Sequence, residues 1–299
     1  MRGPLSYIGG KTRLASRIIE RIPEHTAYVE PFAGGAQVFF HKPPSKIEVL
    51  NDLDGEVVNL YRVCQSHHEE LVRYMRFMLL SREWFERLQK TPPAALTDIQ
   101  RAARYLYLQK VAFGGRVRSQ SYGYFVTSSN RFSPKKIPEI IARSHERLAA
   151  TQIECASYEE ILDRYDRPST FFYIDPPYYG VKLYRYNLER EGFSTLCDRL
   201  RTLKGKFLLS LNDTPEVREI FSQFEIEEVS IHYSIQAKGQ RQHQELLISN
   251  YRKSDIPRTV ARDAMVARTL NDSKKETTRE EEPMQTRNTD TSTSARLSL

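Results

Sequence analysis

Between residues 27 and 64 the chain alternates twice between a short β-like run and a helical one. Ala27-Tyr28-Val29-Glu30 has the length and apolar content of a strand, and after Gly34-Gly35 residues 36–40 open a helix. Ile47-Glu48-Val49-Leu50 forms a second strand that ends in Asn51-Asp52, and residues 55–64 restart a helix. Strands separated by helices do not return through tight turns. They lie parallel, with the helices crossing over the faces of the sheet. Upstream, Leu14, Ile18, Ile19 and Ile22 recur at helical spacing across residues 11–21. Further strands are expected at 152–155, 170–174, 206–211, 226–231 and 245–249. The expected fold class is α/β, a doubly wound and mainly parallel sheet.

The alternation is interrupted once. From about residue 69 to 111 the pattern is helical, with one stripe of Leu71, Met75, Met78 and Leu79 and another of Trp84, Phe85 and Leu88, broken by Pro92-Pro93. Phe113-Gly114-Gly115-Arg116-Val117-Arg118 and Ser121-Tyr122-Gly123-Tyr124-Phe125-Val126 then read as two β runs about a polar turn, a hairpin. We expect residues 69–140 to be an inserted subdomain between catalytic segments 1–68 and 141–251. Residues 252–299 mix both charge signs with Ser, Thr, Asn and Gln, and they lack the apolar content that offsets ordering entropy. A largely disordered tail is expected there, with a short helix near 261–270.

The net charge of +7 is unevenly placed. Between Arg101 and His145 lie Arg101, Arg104, Lys110, Arg116, Arg118, Arg131, Lys135, Lys136 and Arg143, against the single acid Glu139. Interleaved with aromatics and glycines, that excess has the character of a polyanion-binding surface. No apolar run approaches the roughly 18 residues of a membrane-spanning helix, so no membrane partner is expected. The N-terminus has no signal-peptide core. Cys64, Cys155 and Cys197 form neither a metal spacing nor a disulfide framework, and burial of all three thiols is expected. A cytoplasmic, reducing location follows. His67-His68 is expected to be solvated, His232 and His243 lack ligand spacing, and no metal site is expected.

Three strand ends carry the chemistry. Glu30-Pro31-Phe32-Ala33-Gly34-Gly35 joins a strand to a helix; its glycines allow close approach of a ligand to the backbone. This is not the G-x-G-x-x-G dinucleotide fingerprint, which argues against a nicotinamide-dependent oxidoreductase. Asp52, about twenty residues on, stands where a doubly wound sheet binds ribose hydroxyls, although it could equally cap the following helix. Asp175-Pro176-Pro177-Tyr178 follows the apolar run Phe171-Phe172-Tyr173-Ile174. It sets a carboxylate, carbonyls with no competing N–H and a flat ring at the end of a buried strand. Such a constellation can hold a flat amine. Together the three ends imply a nucleoside cofactor beside a reacting amine.

In these motifs the chain resembles the DNA adenine methyltransferases of the Dam type. The resemblance spans residues 5–251 and rests on Tyr7-Ile8-Gly9-Gly10-Lys11, Val29 with the Glu30–Gly35 run, the hairpin from Phe113, Asp175-Pro176-Pro177-Tyr178 and Leu209-Ser210-Leu211-Asn212-Asp213, with Cys155-Ala156-Ser157-Tyr158 also fitting. It implies a Rossmann-like methyltransferase fold and S-adenosylmethionine as cofactor. Methyl transfer would go to N6 of adenine in double-stranded DNA, by base flipping and direct in-line displacement. Tyr7 and Lys11 would lie against the cofactor, Lys11 near its carboxylate. Glu30, Pro31, Phe32, Ala33, Gly34 and Gly35 would line its methionine part, Asp52 would hold the ribose, and Ser157 and Tyr158 would sit near its adenine. Asp175 and Pro176 would accept the two amino hydrogens of the target base, with Pro177 completing the turn and Tyr178 stacking on the base. Phe113, Gly114, Arg116 and Arg118 would face DNA, Lys135 and Lys136 would meet phosphates, and residues 234–241 would form a loop near the DNA backbone. A monomer is expected, and a restriction endonuclease could share the system. Ser6 before Tyr7, Phe113-Gly114 and Arg116 depart from many relatives, so the recognised sequence does not follow from the resemblance.

Alternative readings remain open in the residues. Cytosine N4 in DNA or adenine in RNA could be the acceptor, or a DNA-binding module could keep a vestigial cofactor pocket. Asn212-Asp213-Thr214-Pro215 is expected to be a turn and helix start, capped by Thr214 or Asp213.

Overall fold

The computed structural model describes residues 3–5, 11–112, 120–123, 132–182, 184–231 and 243–256. Among them seven strands form one sheet: β1 (Ala27–Glu30), β2 (Ile47–Asn51), β3 (Gln152–Glu154), β4 (Thr170–Ile174), β5 (Lys206–Asn212), β6 (Glu225–Ile231) and β7 (His243–Ser249). Their order is β3-β2-β1-β4-β5-β7-β6. The first five strands in that order run parallel, and β7 lies antiparallel between β5 and β6. All seven were expected from the sequence, within one or two residues at their ends.

Strand alternation sorts the core onto two faces. Tyr28, Leu50, Phe171, Tyr173, Leu208 and Leu247 face one layer of helices, while Val29, Val49, Phe172, Ile174, Phe207, Leu209, Leu246 and Ile248 face the other. The first layer includes α1 (Ala15–Ile19), α2 (Gln37–His41), α3 (Gly55–Ser66), α4 (His68–Met75), α5 (Arg82–Lys90), α6 (Asp98–Val111) and α7 (Ile137–Leu148). On the opposite face lie α8 (Tyr158–Tyr165), α9 (Arg190–Arg201) and α10 (Pro215–Ile220). Strand β4, wholly buried, reads as a continuous apolar run for this reason.

The helices between β2 and β3 share the core of the first layer. Helix α3 packs on α6 and α7, and α4 packs on the same two. The expected boundary at residue 140 falls within α7. Of the expected stripe, Leu71, Met75 and Met78 are buried, but Leu79 is 66% exposed, because α4 ends at Met75 and the helical period no longer applies. Helix α6 begins with a reciprocal cap, Thr97 accepting from the Gln100 N–H while the Gln100 side chain accepts from the Thr97 N–H. Ala112 and Tyr122 form an antiparallel bridge, and Gly123 N–H donates to the Val111 carbonyl at 3.1 Å, so the two flanks of the expected hairpin meet. Residues 113–119 and 124–131, which hold most of that hairpin, and the tail beyond residue 256 lie outside the described residues. Thr214 caps α10 with Pro215 in its first turn, as expected; Asp213 instead pairs with Arg218 at 2.7 Å. No helix among the described residues is long and apolar enough to cross a membrane.

Candidate active site

Chain direction reverses across the sheet between β1 and β4. From β1 the chain moves outward to β2, and from β4 it moves outward to β5 on the other side. At such a switch point the loops beyond the carboxyl ends of the two strands part and leave a crevice. Here β1 ends in Glu30 and β4 runs into Asp175. The crevice is a cavity of about 500 Å³, within the usual range for small-molecule sites. Its lining includes Lys11, the whole run from Glu30 to Gly35, Asp52, Ser157, Tyr158, Asp175, Pro176 and Pro177. The structure thus gathers all the described cofactor-site candidates around one space.

The turn after β1 is shaped by backbone conformation. Gly34 and Ala36 both have φ of 45°, in the left-handed region. Glycine takes this at little cost, whereas alanine is strained there by about 1–2 kcal/mol. The turn is held from several sides. Asp52 accepts from Gly34 N–H at 2.8 Å, Tyr61 donates to the Gly34 carbonyl at 2.7 Å, and Gln37 donates to the carbonyls of Leu5 and Gly35, each at 2.9 Å. Asn51 completes the frame. Its amide nitrogen donates to Pro31 O at 2.8 Å and Ala156 O at 3.0 Å, and its oxygen accepts from Ala156 N–H at 2.9 Å. One buried side chain therefore ties together the loops after β1, β2 and β3.

Among the carboxyls that line the cavity, Glu30, Asp52 and Asp175 are each pushed above their ordinary pKa by burial. Glu30 rises to about 8, although its Oε1 accepts from the Tyr28 hydroxyl at 2.6 Å and from Phe39 N–H at 2.9 Å. Asp52 rises to about 6 despite accepting from Asp54 and Gly34 N–H groups. It does not cap α3; Asp54 does, accepting from Glu56 N–H at 3.0 Å. Asp175 is raised by burial, with Lys11 opposing the shift. On the far wall the rings of Phe32 and Tyr158 stack 5.2 Å apart, and Ser157 serves as the cap of α8.

Lys11 departs from expectation in its surroundings. Its Nζ lies 2.9 Å from Asp175 Oδ1 and 3.3 Å from Glu245 Oε2, and it donates to the Tyr178 hydroxyl at 2.7 Å. Burial works against its charge, but Asp175, Tyr178 and Glu245 outweigh that and hold its pKa well above the lysine value. Ser210 also donates to Asp175 Oδ1, at 3.0 Å, and the Tyr173 hydroxyl lies 3.0 Å from Ser210 Oγ. Asp175 Oδ2 takes no part in either contact. The turn beyond Tyr178 is pinned from β5, where Asn212 accepts from Tyr179 N–H at 2.9 Å and donates to Tyr179 O at 3.1 Å. Tyr178 itself is half-buried and does not line the main cavity; its hydroxyl donates to Glu245 Oε1 at 2.6 Å.

Sequence reasoning missed Glu245 and the strap of Tyr184, Arg185, Tyr186, Asn187 and Leu188 along the cavity rim. Arg185 closes that strap on Asp54 at 3.1 Å. A carboxylate opening the apolar run Leu246-Leu247-Ile248 was the available signal for Glu245. Several other expectations need correction. Cys155 is exposed, because it follows β3 at the sheet edge, while Cys64 and Cys197 are buried. His68 stacks on His145 at 3.9 Å rather than standing free in solvent. Arg101 and Arg104, read as part of the basic surface, are engaged internally, Arg101 with Glu56 at 2.6 Å and Arg104 with the Leu88 carbonyl at 2.7 Å. Lys135 and Lys136 are exposed. Tyr7, Phe113, Gly114, Arg116, Arg118, His232 and residues 234–241 lie outside the described residues. Among the described residues no cluster of His, Cys, Asp and Glu could hold a metal.

Comparison with known proteins gives a concordant picture. Residues 7–235 match the family described as D12 class N6 adenine-specific DNA methyltransferase. The chain is 29% identical over 230 residues to the Type II methyltransferase M.CviBI of Paramecium bursaria Chlorella virus NC1A, covering 75% of this chain and 88% of that one. It is 25% identical over 253 residues to the DNA adenine methylase of Salmonella typhi, covering 80% and 90%. The Type II methyltransferase M.MjaIII of Methanocaldococcus jannaschii is 25% identical over 284 residues, covering 83% and 98%.

Proposed function

Because the chain belongs to the D12 class of N6 adenine-specific DNA methyltransferases, and so methylates adenine N6 in DNA, we propose that the crevice between β1 and β4 binds S-adenosylmethionine and receives a flipped adenine at Asp175. The cavity suits that cofactor. Its volume is adequate, and Asp52 on its wall can accept from a sugar hydroxyl. Phe32 and Tyr158 offer aromatic faces for a nucleobase. When bound, S-adenosylmethionine supplies a sulfonium-borne methyl group for direct displacement.

The observation that carries this reading is the position of Asp175, at the switch point and with Oδ1 already engaged by Lys11 and Ser210. That arrangement fixes the carboxylate and reserves Oδ2 for an incoming N–H. The Pro176 carbonyl is the second acceptor, on a residue that lines the same cavity. An adenine amine is a weak nucleophile because its lone pair is delocalised into the ring. Accepting both amino hydrogens localises that pair on nitrogen, and fixed acceptors oppose the positive charge that develops there. The Tyr178 ring stacks on the base. A base within a duplex cannot reach this depth, so it must leave the stack.

The finer assignments belong to the same proposal: double-stranded DNA as substrate, a monomeric enzyme, a catalytic unit of residues 1–68 and 141–251, and DNA contacts by Phe113, Gly114, Arg116, Arg118, Lys135 and Lys136. Calorimetry of S-adenosylmethionine binding to the parent and to Asp52→Ala tests the cofactor site. Weakened binding by Asp52→Ala is expected. Unchanged affinity would remove Asp52 from the site, and absence of binding by the parent would refute the cofactor assignment.

A further inference from the structure

Glu245 has no role in the chemistry above, yet it is 5% exposed and stands at the same sheet edge as Asp175. It arrives there because β7 runs antiparallel to β5, so the start of β7 meets the end of β5, with Glu245 opposite Asn212. Its neighbours Leu246, Leu247 and Ile248 are core residues. A carboxylate in such a place costs desolvation that a leucine would not.

Two contacts use this carboxylate. Oε1 accepts the Tyr178 hydroxyl at 2.6 Å, and Oε2 lies 3.3 Å from Lys11 Nζ. Among the described residues Oε2 has no hydrogen bond beyond that ion pair. Lys11 in turn donates to the same Tyr178 hydroxyl at 2.7 Å and reaches Asp175 at 2.9 Å. The phenol therefore both donates and accepts, and its ring is anchored at its outer end. Stacking on a base needs only the ring; the hydroxyl is what couples it to the charges.

We propose that Glu245 is a positioning residue of the methyl-transfer site, holding Tyr178 and Lys11 as one unit that orients the stacking ring and fixes Asp175. The inference rests on the reading of Asp175 and Tyr178 given above. It implies that Tyr178→Phe is not silent, although it keeps the ring, because the substitution leaves Glu245 and Lys11 without their shared partner.

The test is single-turnover transfer of a tritiated methyl group from S-adenosylmethionine to unmethylated duplex DNA by the full-length chain, compared for the parent, Glu245→Ala, Glu245→Gln, Tyr178→Phe and the Glu245→Ala/Tyr178→Phe double variant. Glu245→Ala should slow transfer at saturating DNA by about tenfold or more, with cofactor affinity changed less than about twofold. The two effects should combine less than multiplicatively in the double variant, since both substitutions break the Glu245–Tyr178 contact and each breaks a further one with Lys11. Glu245→Gln keeps an oxygen for the Tyr178 hydroxyl and should recover part of the loss. A purely structural role would instead lower the unfolding temperature while folded protein transferred at the parent rate. That outcome, or fully multiplicative effects in the double variant, would overturn the proposal. If Glu245→Ala does not fold, Glu245→Gln with Tyr178→Phe completes the cycle, and parent-rate transfer by both overturns it. Asp175→Ala separates the two levels. Parent-rate transfer by that variant refutes the underlying reading of the site, whereas its inactivity beside an unimpaired Glu245→Ala refutes the positioning role alone.

Discussion

Replacing Asn51 by alanine should loosen the cofactor site without touching the reacting groups. The side chain is 1% exposed and makes three hydrogen bonds, to Pro31 O, Ala156 O and Ala156 N–H. Alanine orphans all three backbone groups. Each buried orphan costs about 1–3 kcal/mol, and water entering from the cavity relieves part of that. A total near 3 kcal/mol is therefore expected, at the low end per group. For a folded unit of this size about 1 kcal/mol corresponds to roughly 2–4 °C, so the unfolding temperature should drop by roughly 6–12 °C. Pro31 and Ala156 both line the cavity, so S-adenosylmethionine binding should weaken as well, by about tenfold, or about 1.4 kcal/mol. Asn51→Asp should be at least as damaging at neutral pH, because it sets a carboxylate oxygen against two carbonyls. Thermal unfolding and calorimetry on the same preparations decide the matter. A shift below about 1 °C with unchanged cofactor affinity would refute the argument that this side chain clamps the three loops.

Three other outcomes follow from the structure and sequence. Glu30 has a folded pKa of about 8 against an ordinary 4.5, so the folded state holds its proton more tightly than the unfolded chain does. The cofactor-free protein should lose stability from this group as pH rises from 4.5 towards 8; Glu30→Gln should remove that loss, and parallel pH profiles of unfolding temperature for parent and variant would contradict it. Arg118→Ala should relax site preference, because arginine paired to guanine discriminates by about 1–3 kcal/mol, whereas alanine at Lys135 and Lys136 should weaken binding to all duplexes alike and flatten its salt dependence. Methylation of single-base site variants and binding at several salt concentrations separate these roles. Truncation after Pro257 should leave a cooperatively folding, active enzyme, since it keeps the Tyr251 hydroxyl bond to the Arg21 carbonyl at 2.6 Å and Ile256 packed on the core; loss of cooperative unfolding would show otherwise.

Much of this was legible in the sequence where local pattern and tertiary need coincide. Strands such as β4 and β5 announce themselves as short apolar runs, and Glu30, Asp52 and Asp175 fall at strand ends because parallel strands send their carboxyl ends to one edge. What stayed hidden depends on register and on long-range pairing. Glu245 looked like an ordinary first residue of a strand; only the antiparallel insertion of β7 beside β5 carries it to Asp175. The choice between Asp52 and Asp54 as cap of α3 turns on φ and ψ at two adjacent acids, which composition does not encode. Likewise, the basic excess after residue 101 overstated the free charge, because Arg101 and Arg104 spend theirs on Glu56 and a buried carbonyl. Leu79 escaped its stripe because a helix end is set by backbone hydrogen bonds rather than by the apolar period.

The central claim is that Asp175 orients the adenine amine for direct methyl transfer. It is tested most directly by incubating the parent and Asp175→Ala with tritiated S-adenosylmethionine and unmethylated duplex DNA, then resolving the labelled nucleosides. The account predicts label in N6-methyladenine alone for the parent and none above background for Asp175→Ala, with both proteins folded. Label in methylcytosine, or transfer by Asp175→Ala within about tenfold of the parent, would contradict it.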